Sequence, residues 1–293
     1  MRVACVAKKK HSWWNRSMMK KDEKLHSLGV VITGGSSGLG YALSAVFLAA
    51  GDRVVICGRD QQRLDKALSS LNESCGVGRK VYGMVCDVGN PSGAEALAVF
   101  ASVKLGRVDR WINNAGTAGQ FKRPLWELHA DDILETCTTN LSGSVMLCAE
   151  AVRLMDSQPS SSKPVYHIFN MGFSSAGARL SGSAVPHKAS KRGVAELTRC
   201  LARELKTARK TSIGVHELSP GLVLTRLLLQ DASASSIKLL NIIADRPEKV
   251  AAVLVPKIRS ISGRNRRIRY QPLAMIFLRL LIGIKQVIKS PER

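Results

Sequence analysis

The chain has 293 residues, an apolar fraction of 45% and a formal net charge of +22. This length suits one domain of about 200–250 residues with extensions, and the apolar content excludes a largely disordered protein. The positive charge predicts an anionic partner, such as membrane lipid, nucleic acid or a phosphorylated ligand, unless much of it lies on flexible chain ends.

Residues 1–27 form a basic N-terminal extension whose first acidic residue is Asp22. The extension lacks the apolar core and the small-residue cleavage site of a secretory signal. We expect a flexible arm. Two alternatives stay open: the remnant of an organelle transit peptide, and a lipid contact made by the Lys8–Lys10 run together with Trp13 and Trp14.

From residue 28 to 228, short apolar runs alternate with helical patterns. Strands are predicted at LGVVITG, RVVICG, KVYGMVCDV, VDRWINNAG, PVYHIFNMG and IGVHELSPG. One long helix is predicted over roughly 131–156, and another begins at KASKRGVAEL. Because the strands are apolar on both faces, the pattern predicts an α/β fold: a Rossmann-like, doubly wound parallel sheet with helices on both faces.

The alternation of strands and helices stops in residues 229–293. Their sequence predicts a basic, helical C-terminal extension that covers the substrate or contacts a membrane. The densest charge cluster is GRNRRIRY. Between residues 273 and 288, apolar residues recur at helical spacing beside Arg279, Lys285 and Lys289. This pattern predicts either an interfacial helix attracted to anionic lipid or a helix packed on the protein's own core or on a second subunit.

Seven scattered cysteines, with no CxxC pair and no paired spacing, argue against a disulfide framework and against a metal site. Most of them lie in apolar runs, where a free thiol behaves as a small buried apolar group. We therefore expect a reducing compartment. No apolar run reaches the ~18 residues of a transmembrane helix.

A glycine-rich turn follows the first predicted strand directly and precedes the first helix. Such a turn brings main-chain N–H groups and a helix N-terminus up to a pyrophosphate, and a Cβ at the glycine positions would block that approach. The turn therefore predicts a dinucleotide site. Its expected cofactor-binding residues are Thr33, Gly34, Ser36, Ser37, Gly38, Leu39 and Gly40.

The second strand ends in VVICGRD, which places Arg59 where enzymes that select NAD often carry an acidic residue. A cation at this point can bind a ribose 2′-phosphate, so the sequence favours NADP(H). The neighbouring Asp60 weakens this preference, because an acidic residue here is typical of enzymes that select NAD.

Two further strand ends complete the expected cofactor site. Asp87 and Val88 close the third strand, where a carboxylate can accept a hydrogen bond from the adenine amino group. The sequence NNAG ends the fourth strand, and we expect the main chain of Asn114, Ala115 and Gly116 to lie against the adenosine side of the cofactor.

From about residue 28 to 226 the chain resembles the short-chain dehydrogenase/reductases. The resemblance is carried by TGGSSGLG, CDV, NNAG, TTNLSG, NMGFSSAG, HKASK and SPGLVLT. It implies an NAD(P)-dependent oxidoreductase whose active site combines an asparagine, a serine, a tyrosine and a lysine. It also implies cofactor contacts from Lys191, Pro220, Gly221 and Thr225.

Carried over residue by residue, the family's active site falls on Asn140, Ser174, His187 and Lys191. Ser174 has the family's usual separation from residue 187, and Ser175, one step further, stays open. In the family the tyrosine protonates the carbonyl oxygen of the substrate, and here His187 stands in its place.

His187 could take over the tyrosine's role, because an imidazolium near pKa 6.5 is a stronger acid than a phenol. Lys191, one helical turn away, disfavours that protonated form, and an imidazole reaches less far than a phenol. Altered or reduced activity and loss of activity are therefore both open at this stage.

Several stretches resemble the chlorophyll(ide) b reductases of plants and algae over about residues 28–272. They are WINNAGTAGQFKRPL, HIFNMG, GVHELSPGLVLTRLLLQ and NIIADRPEKVAAVLVPKIR. The resemblance implies NADPH-dependent reduction of the 7-formyl group of chlorophyll b or chlorophyllide b, in the chloroplast, by a protein peripheral to the thylakoid membrane. The chain departs from that pattern at His187 and at Gly172, where those enzymes tend to carry an acidic residue.

Two other functions stay open. One is a non-catalytic, NADP(H)-binding relative that partners an active reductase in a homo- or hetero-oligomer. The other is a short-chain reductase of another lipophilic carbonyl compound, such as a steroid, a retinoid or a quinone. No nucleic-acid recognition module is visible in the sequence, so we expect no nucleic-acid partner.

Overall fold

The computed structural model describes residues 27–75, 80–172, 183–229 and 234–271. Within these ranges seven strands form one parallel sheet in the order β3-β2-β1-β4-β5-β6-β7. Their bounds are β1 (Gly29–Thr33), β2 (Arg53–Gly58), β3 (Val81–Val85), β4 (Arg110–Asn113), β5 (Tyr166–Met171), β6 (Ile213–Ser219) and β7 (Arg267–Arg269). The doubly wound parallel sheet predicted from the sequence is confirmed.

Helices cover both faces of the sheet. They are α1 (Gly38–Ala49), α2 (Gln61–Cys75), α3 (Pro91–Leu105), α4 (Ala130–Cys137), α5 (Gly143–Asp156), α6 (Val185–Thr207), α7 (Arg226–Leu229), α8 (Ala234–Ile243) and α9 (Pro247–Arg259). The long helix expected over roughly 131–156 is interrupted, because a π-helical turn, Thr138–Ser142, separates α4 from α5.

Successive side chains along each strand point to opposite faces of the sheet, so a hydrophobic core forms on each face. On β1, Val30 and Ile32 pack with α1, α2 and α9 on one face of the sheet. Val31 points to the other face and packs with α3, α5 and part of α6. All three side chains are fully buried, which explains why the strand is a continuous apolar run in the sequence.

The basic segment near the C-terminus contributes a strand that the sequence analysis did not predict. Helices and loops were expected from residue 229 onward, yet β7 pairs in parallel with β6 and buries Ile268. Arg267 Nε donates to Glu217 Oε2 of β6 at 2.8 Å. The helix expected over residues 273–289 and the N-terminal extension up to residue 26 lie outside the described residues.

The described cysteines are free thiols, and three of them, Cys57, Cys86 and Cys148, are buried as expected. Among the described residues, no helix is both long and apolar enough to cross a membrane. The same residues contain no cluster of three or more His, Cys, Asp or Glu side chains that could hold a metal ion.

Candidate active site and cofactor crevice

The sheet order places the candidate site at the carboxyl ends of β1 and β4. The strand β1 lies between β2 and β4, so the chain leaves β1 toward one side of the sheet and later returns on the other. Ligands in open α/β sheets bind in the crevice at this reversal. The glycine-rich turn after β1 and the NNAG turn after β4 therefore face each other.

The glycine-rich turn is closely packed. Gly34 and Gly38 have positive φ values of 65° and 55°, which other residues rarely adopt. A Cβ at Gly40 would lie 2.3 Å from the main-chain oxygen of Gly34 and 2.6 Å from the side-chain nitrogen of Asn114. Only glycine fits at this junction of turn, helix and neighbouring strand.

Thr33 and Asn114 hold the two turns together. The Thr33 hydroxyl oxygen accepts hydrogen bonds from the main-chain N–H groups of Asn114 and Ala115, each at 3.0 Å. In return, Asn114 Nδ2 donates to the main-chain oxygens of Thr33 and Gly34 at 2.9 and 3.2 Å. The Asn114 side chain thus stabilises both turns.

The N-terminus of α1 is suited to an anionic ligand. Ser37 is the exposed N-cap residue, its side chain makes no capping hydrogen bond, and the first turn of the helix carries no acidic residue. The positive end of the helix dipole is therefore not neutralised from within the helix. Leu39 is buried and anchors the turn, while a Cβ at Gly58 would lie 2.8 Å from the Ser36 hydroxyl.

Arg59 and Asp60 have different partners at the end of β2. Arg59 Nη1 lies 2.9 Å from Glu135 Oε1 on α4, and both side chains are exposed. Asp60 Oδ1 accepts from the main-chain N–H of Arg63 at 2.9 Å, in the first turn of α2. Asp60 is thus engaged at its own helix, which weakens the argument that it binds a ribose hydroxyl.

The third and sixth strand ends also border the crevice. Asp87 is exposed and accepts from the Gly89 N–H at 2.9 Å, whereas the next residue, Val88, is buried. After β6, Pro220 leads into Gly221, whose φ is +74°. The chain then brings the Thr225 methyl group to 3.2 Å from the position of a Cβ on Gly38.

Asn140 lies in the π-helical turn and is fully buried. Its Oδ1 accepts from the Thr117 main-chain N–H at 2.9 Å, and its Nδ2 donates to the Thr117 carbonyl at 2.8 Å and to Ser190 Oγ at 3.1 Å. Thr117 was not among the predicted site residues. Its position directly after NNAG was the one available signal.

The Thr117 carbonyl also accepts a hydrogen bond from His187. The distance from His187 Nδ1 to Thr117 O is 2.8 Å, and His187 is 6% exposed near the start of α6. Burial lowers the pKa of His187 below its usual 6.5, the bond to Thr117 opposes that shift, and the charges of Lys191 and Lys188 add to it. The imidazole is therefore mainly neutral at pH 7, and in the neutral ring Nδ1 carries the proton, because a carbonyl oxygen can only accept.

Lys191 lies one turn further along α6 and is half-buried. Burial lowers its pKa from 10.5 to about 8. A Cβ on Gly116 would lie 2.9 Å from Asn140 Oδ1 and 3.2 Å from Lys191 Nζ, so the asparagine and the lysine approach each other across this glycine. The structure thus brings Asn140, His187 and Lys191 together beside the NNAG turn.

The remaining predicted active-site residue, Ser174, lies outside the described residues, as does its alternative Ser175. Gly172, which precedes them, is described, and a Cβ there would lie 2.4 Å from Glu217 Cγ. The buried Glu217 side chain thus occupies the space that a larger side chain at position 172 would need. This contact gives a physical reason for the glycine.

Comparisons with known proteins agree with this geometry. A family model described as short chain dehydrogenase matches residues 29–235. The chain is 38% identical over 257 residues to Chlorophyll(ide) b reductase NOL, chloroplastic, from Oryza sativa subsp. japonica, covering 87% of this chain and 72% of that protein. The protein of the same name from Arabidopsis thaliana is 35% identical over 275 residues, with 94% and 76% covered.

A solved structure of a metagenomic short-chain oxidoreductase in complex with NADP has the same fold. Its TM-score is 0.64 at 22% identity, covering 85% of this chain and 99% of that one. The family model and the relatives together establish the family. This chain belongs to the short-chain dehydrogenase/reductase family of NAD(P)-dependent oxidoreductases.

Proposed function

We propose that this protein uses NADPH to reduce the 7-formyl group of chlorophyll b or chlorophyllide b to a hydroxymethyl group. The observation that carries the chemistry is the convergence of Asn140, His187 and Lys191 beside a glycine-rich nucleotide crevice. The substrate class is supported by the names of the relatives, which are chlorophyll(ide) b reductases.

The crevice fits a dinucleotide. Gly34 and Gly40 let the glycine-rich turn pack directly against the NNAG turn, and the N-terminus of α1 offers a pyrophosphate N–H groups that no capping side chain compensates. When bound, the reduced nicotinamide supplies the hydride for the carbonyl carbon. Arg59 would break its ion pair with Glu135 to bind the 2′-phosphate. Lys191 would bind the nicotinamide ribose.

Reduction also needs a proton for the carbonyl oxygen. In the proposed mechanism the imidazolium form of His187 supplies it, while Thr117 and Asn140 hold the ring in place. Because the pKa of His187 is lowered, only a minor fraction carries this proton at pH 7, and reduction should rise as the pH falls.

We further propose a chloroplast location, peripheral to the thylakoid membrane, with residues 273–293 in contact with anionic lipid. The relatives are chloroplastic by name, and the C-terminal sequence combines apolar helical spacing with cations. We also propose that the protein assembles as a homo- or hetero-oligomer.

A second candidate is a non-catalytic NADP(H)-binding relative that partners an active reductase. The neutral state of the buried His187 favours it, because a neutral imidazole with its proton directed at Thr117 is a poor acid.

One experiment separates the two candidates. Chlorophyllide b and NADPH are incubated with the wild-type protein and with His187→Phe between pH 5.5 and 8, while NADPH affinity is measured by calorimetry on the same samples. Turnover that rises as the pH falls and is lost in His187→Phe supports the reductase. NADPH binding without turnover at any pH supports the non-catalytic relative. Turnover of a steroid, retinoid or quinone carbonyl in place of chlorophyllide b would identify another lipophilic substrate.

A further inference from the structure

Two buried cysteines lie side by side at the carboxyl ends of β2 and β3. Cys57 is the last residue but one of β2, and Cys86 directly follows β3. The two strands pair in parallel with Cys57 opposite Met84, and the Cys86 N–H extends this ladder by donating to the Gly58 oxygen at 3.0 Å. Both side chains are buried in the same core, on the same face of the sheet. The strand register thus brings the two thiols together.

The thiols of Cys57 and Cys86 are hydrogen-bonded to each other. Cys86 Sγ also donates to the Gly93 main-chain oxygen at 3.2 Å, in the first turn of α3, and the Cys57 sulfur accepts from the Gly34 N–H. An S–S bond of about 2.05 Å is much shorter than the contact between two hydrogen-bonded thiols. Formation of such a bond would therefore draw the two residues together and disturb the contacts with Gly93 and Gly34.

The contact makes the two thiols unequal. The hydrogen bond from Cys57 lowers the pKa of Cys86, while burial and the charge of Asp87 oppose that shift. The same hydrogen bond, together with burial, raises the pKa of Cys57 above its ordinary range. Because the thiolate is the nucleophile, Cys86 reacts first with an oxidant, and Cys57 is placed to react with the oxidised Cys86 sulfur.

The pair is also joined to the part of the crevice that is expected to hold the adenosine half of the cofactor. The Cys57 main-chain oxygen accepts from the Gly35 N–H of the glycine-rich turn at 3.0 Å. Arg59 lies two residues after Cys57, and Asp87 directly follows Cys86. A movement of the two cysteines toward each other would therefore shift the turn and both strand ends that border the crevice.

We propose that Cys57 and Cys86 form a reversible disulfide, and that its formation weakens the binding of NADP(H). The inference adds redox control to the proposed function and rests on it through the shared cofactor crevice. The oxidant belongs to the class of small peroxides, such as hydrogen peroxide. A transient disulfide of this kind is compatible with a reducing compartment, where disulfides that do form are usually redox-sensing or catalytic.

The oxidation consumes one hydrogen peroxide and yields two water molecules. The Cys86 thiolate attacks one peroxide oxygen, the O–O bond breaks, and the leaving hydroxide takes up the proton that the thiol released. The product is a sulfenic acid on Cys86. The Cys57 sulfur then attacks the Cys86 sulfur, the S–S bond forms, the S–O bond breaks, and the hydroxyl group leaves as water with the proton of Cys57. The two thiols together lose two electrons, and the peroxide gains them.

Peptide mapping by mass spectrometry and NADPH calorimetry on the same full-length samples test the proposal. After treatment with hydrogen peroxide and its removal, we expect a disulfide-linked pair of peptides that contain Cys57 and Cys86. NADPH binding should be at least about fivefold weaker, and dithiothreitol should reverse both changes. The variants Cys86→Ser and Cys57→Ala should bind NADPH within about twofold of the reduced wild type and should lose no affinity on oxidation.

Cys200→Ser is the matched control, because Cys200 is an exposed thiol on α6. This variant should form the same disulfide and lose the same affinity as the wild type. Oxidation of Cys200 without a bond between Cys57 and Cys86 would overturn the inference, as would a mapped disulfide with unchanged NADPH affinity. Either result would leave the proposed reductase standing. Failure of the reduced protein to bind NADPH would overturn both.

Discussion

His187 and Thr117 are joined by a hydrogen bond of 2.8 Å from the imidazole Nδ1 to the main-chain oxygen. Residues 117 and 187 lie on the loop after β4 and at the start of α6, so the bond connects two walls of the candidate active site. It also determines which nitrogen carries the proton. The consequence is that His187, at the position where the resemblance places the family's proton donor, is held mainly in its neutral form.

Replacing His187 with tyrosine should therefore increase formyl reduction at neutral and alkaline pH. A phenol keeps its proton up to about pH 10, whereas a group of pKa 6.5 is only about 3% protonated at pH 8, and burial makes that fraction smaller here. We expect kcat for chlorophyllide b to rise at least about tenfold at pH 8 and its pH dependence to flatten. A stopped-flow assay that finds His187→Tyr no faster than the wild type would contradict this account.

Glu135 should weaken the binding of NADPH by competing for Arg59. The two side chains are 2.9 Å apart, and a bound 2′-phosphate would have to replace the carboxylate while lying close to its charge. Glu135→Gln should therefore strengthen NADPH binding several-fold and leave NADH binding nearly unchanged. Arg59→Ala should reduce the preference for NADPH over NADH.

Calorimetry with both cofactors tests this competition, and Glu127→Gln is the matched control. Glu127 is exposed in the turn before α4, and no ion pair with Arg59 is present there. Weaker NADPH binding in Glu135→Gln, or an equal gain in Glu127→Gln, would show that general charge and not the pairing with Arg59 decides the affinity.

The sequence predicted the sheet and the glycine-rich turn because their signals are local. A buried parallel strand is a continuous apolar run, and a pyrophosphate turn requires glycine at fixed spacing. Thr117 had no signal beyond its position after NNAG, because it contributes a main-chain N–H and oxygen that almost any residue could supply. The pairing of Arg59 with Glu135 joins positions 76 residues apart. The strand β7 was not predicted, because it is only three residues long and its one buried side chain, Ile268, lies between two arginines.

Two buried histidines should make the fold sensitive to acid. His167 Nδ1 lies 2.9 Å from His216 Nε2, and His216 Nδ1 accepts from the Arg266 main-chain N–H at 3.1 Å. Burial, followed by the charge of Arg110, lowers the pKa of His167 to about 2 and that of His216 to about 4. In the unfolded chain both would titrate near 6.5.

The unfolded chain therefore binds more protons than the folded protein below about pH 6.5, and the free energy of unfolding falls as the pH falls. The loss should be about 4 kcal/mol for the pair between pH 7 and pH 5. Urea unfolding at the two pH values measures it. The double variant His167→Gln/His216→Asn should lose less stability than the wild type over this interval. An equal loss in both proteins would assign the acid sensitivity to other groups.

Thr33 offers a test of the coupling between the fold and the cofactor crevice. Its hydroxyl oxygen accepts from the N–H groups of Asn114 and Ala115 at 3.0 Å each, and the residue is fully buried. Thr33→Val keeps the shape but removes the acceptor, which leaves the Ala115 N–H without its partner. We expect a loss of about 1–3 kcal/mol in the free energy of unfolding.

The same substitution should weaken NADPH binding, because the two turns that enclose the crevice are no longer held at their native separation. Thr33→Ser retains the hydroxyl and should bind NADPH nearly as well as the wild type. Urea unfolding and calorimetry on the three proteins test both effects together. Reduced stability with unchanged NADPH affinity in Thr33→Val would show that the bond supports the fold and does not shape the crevice. If Thr33→Ser lost as much affinity as Thr33→Val, the methyl group and not the hydroxyl would be the feature that matters.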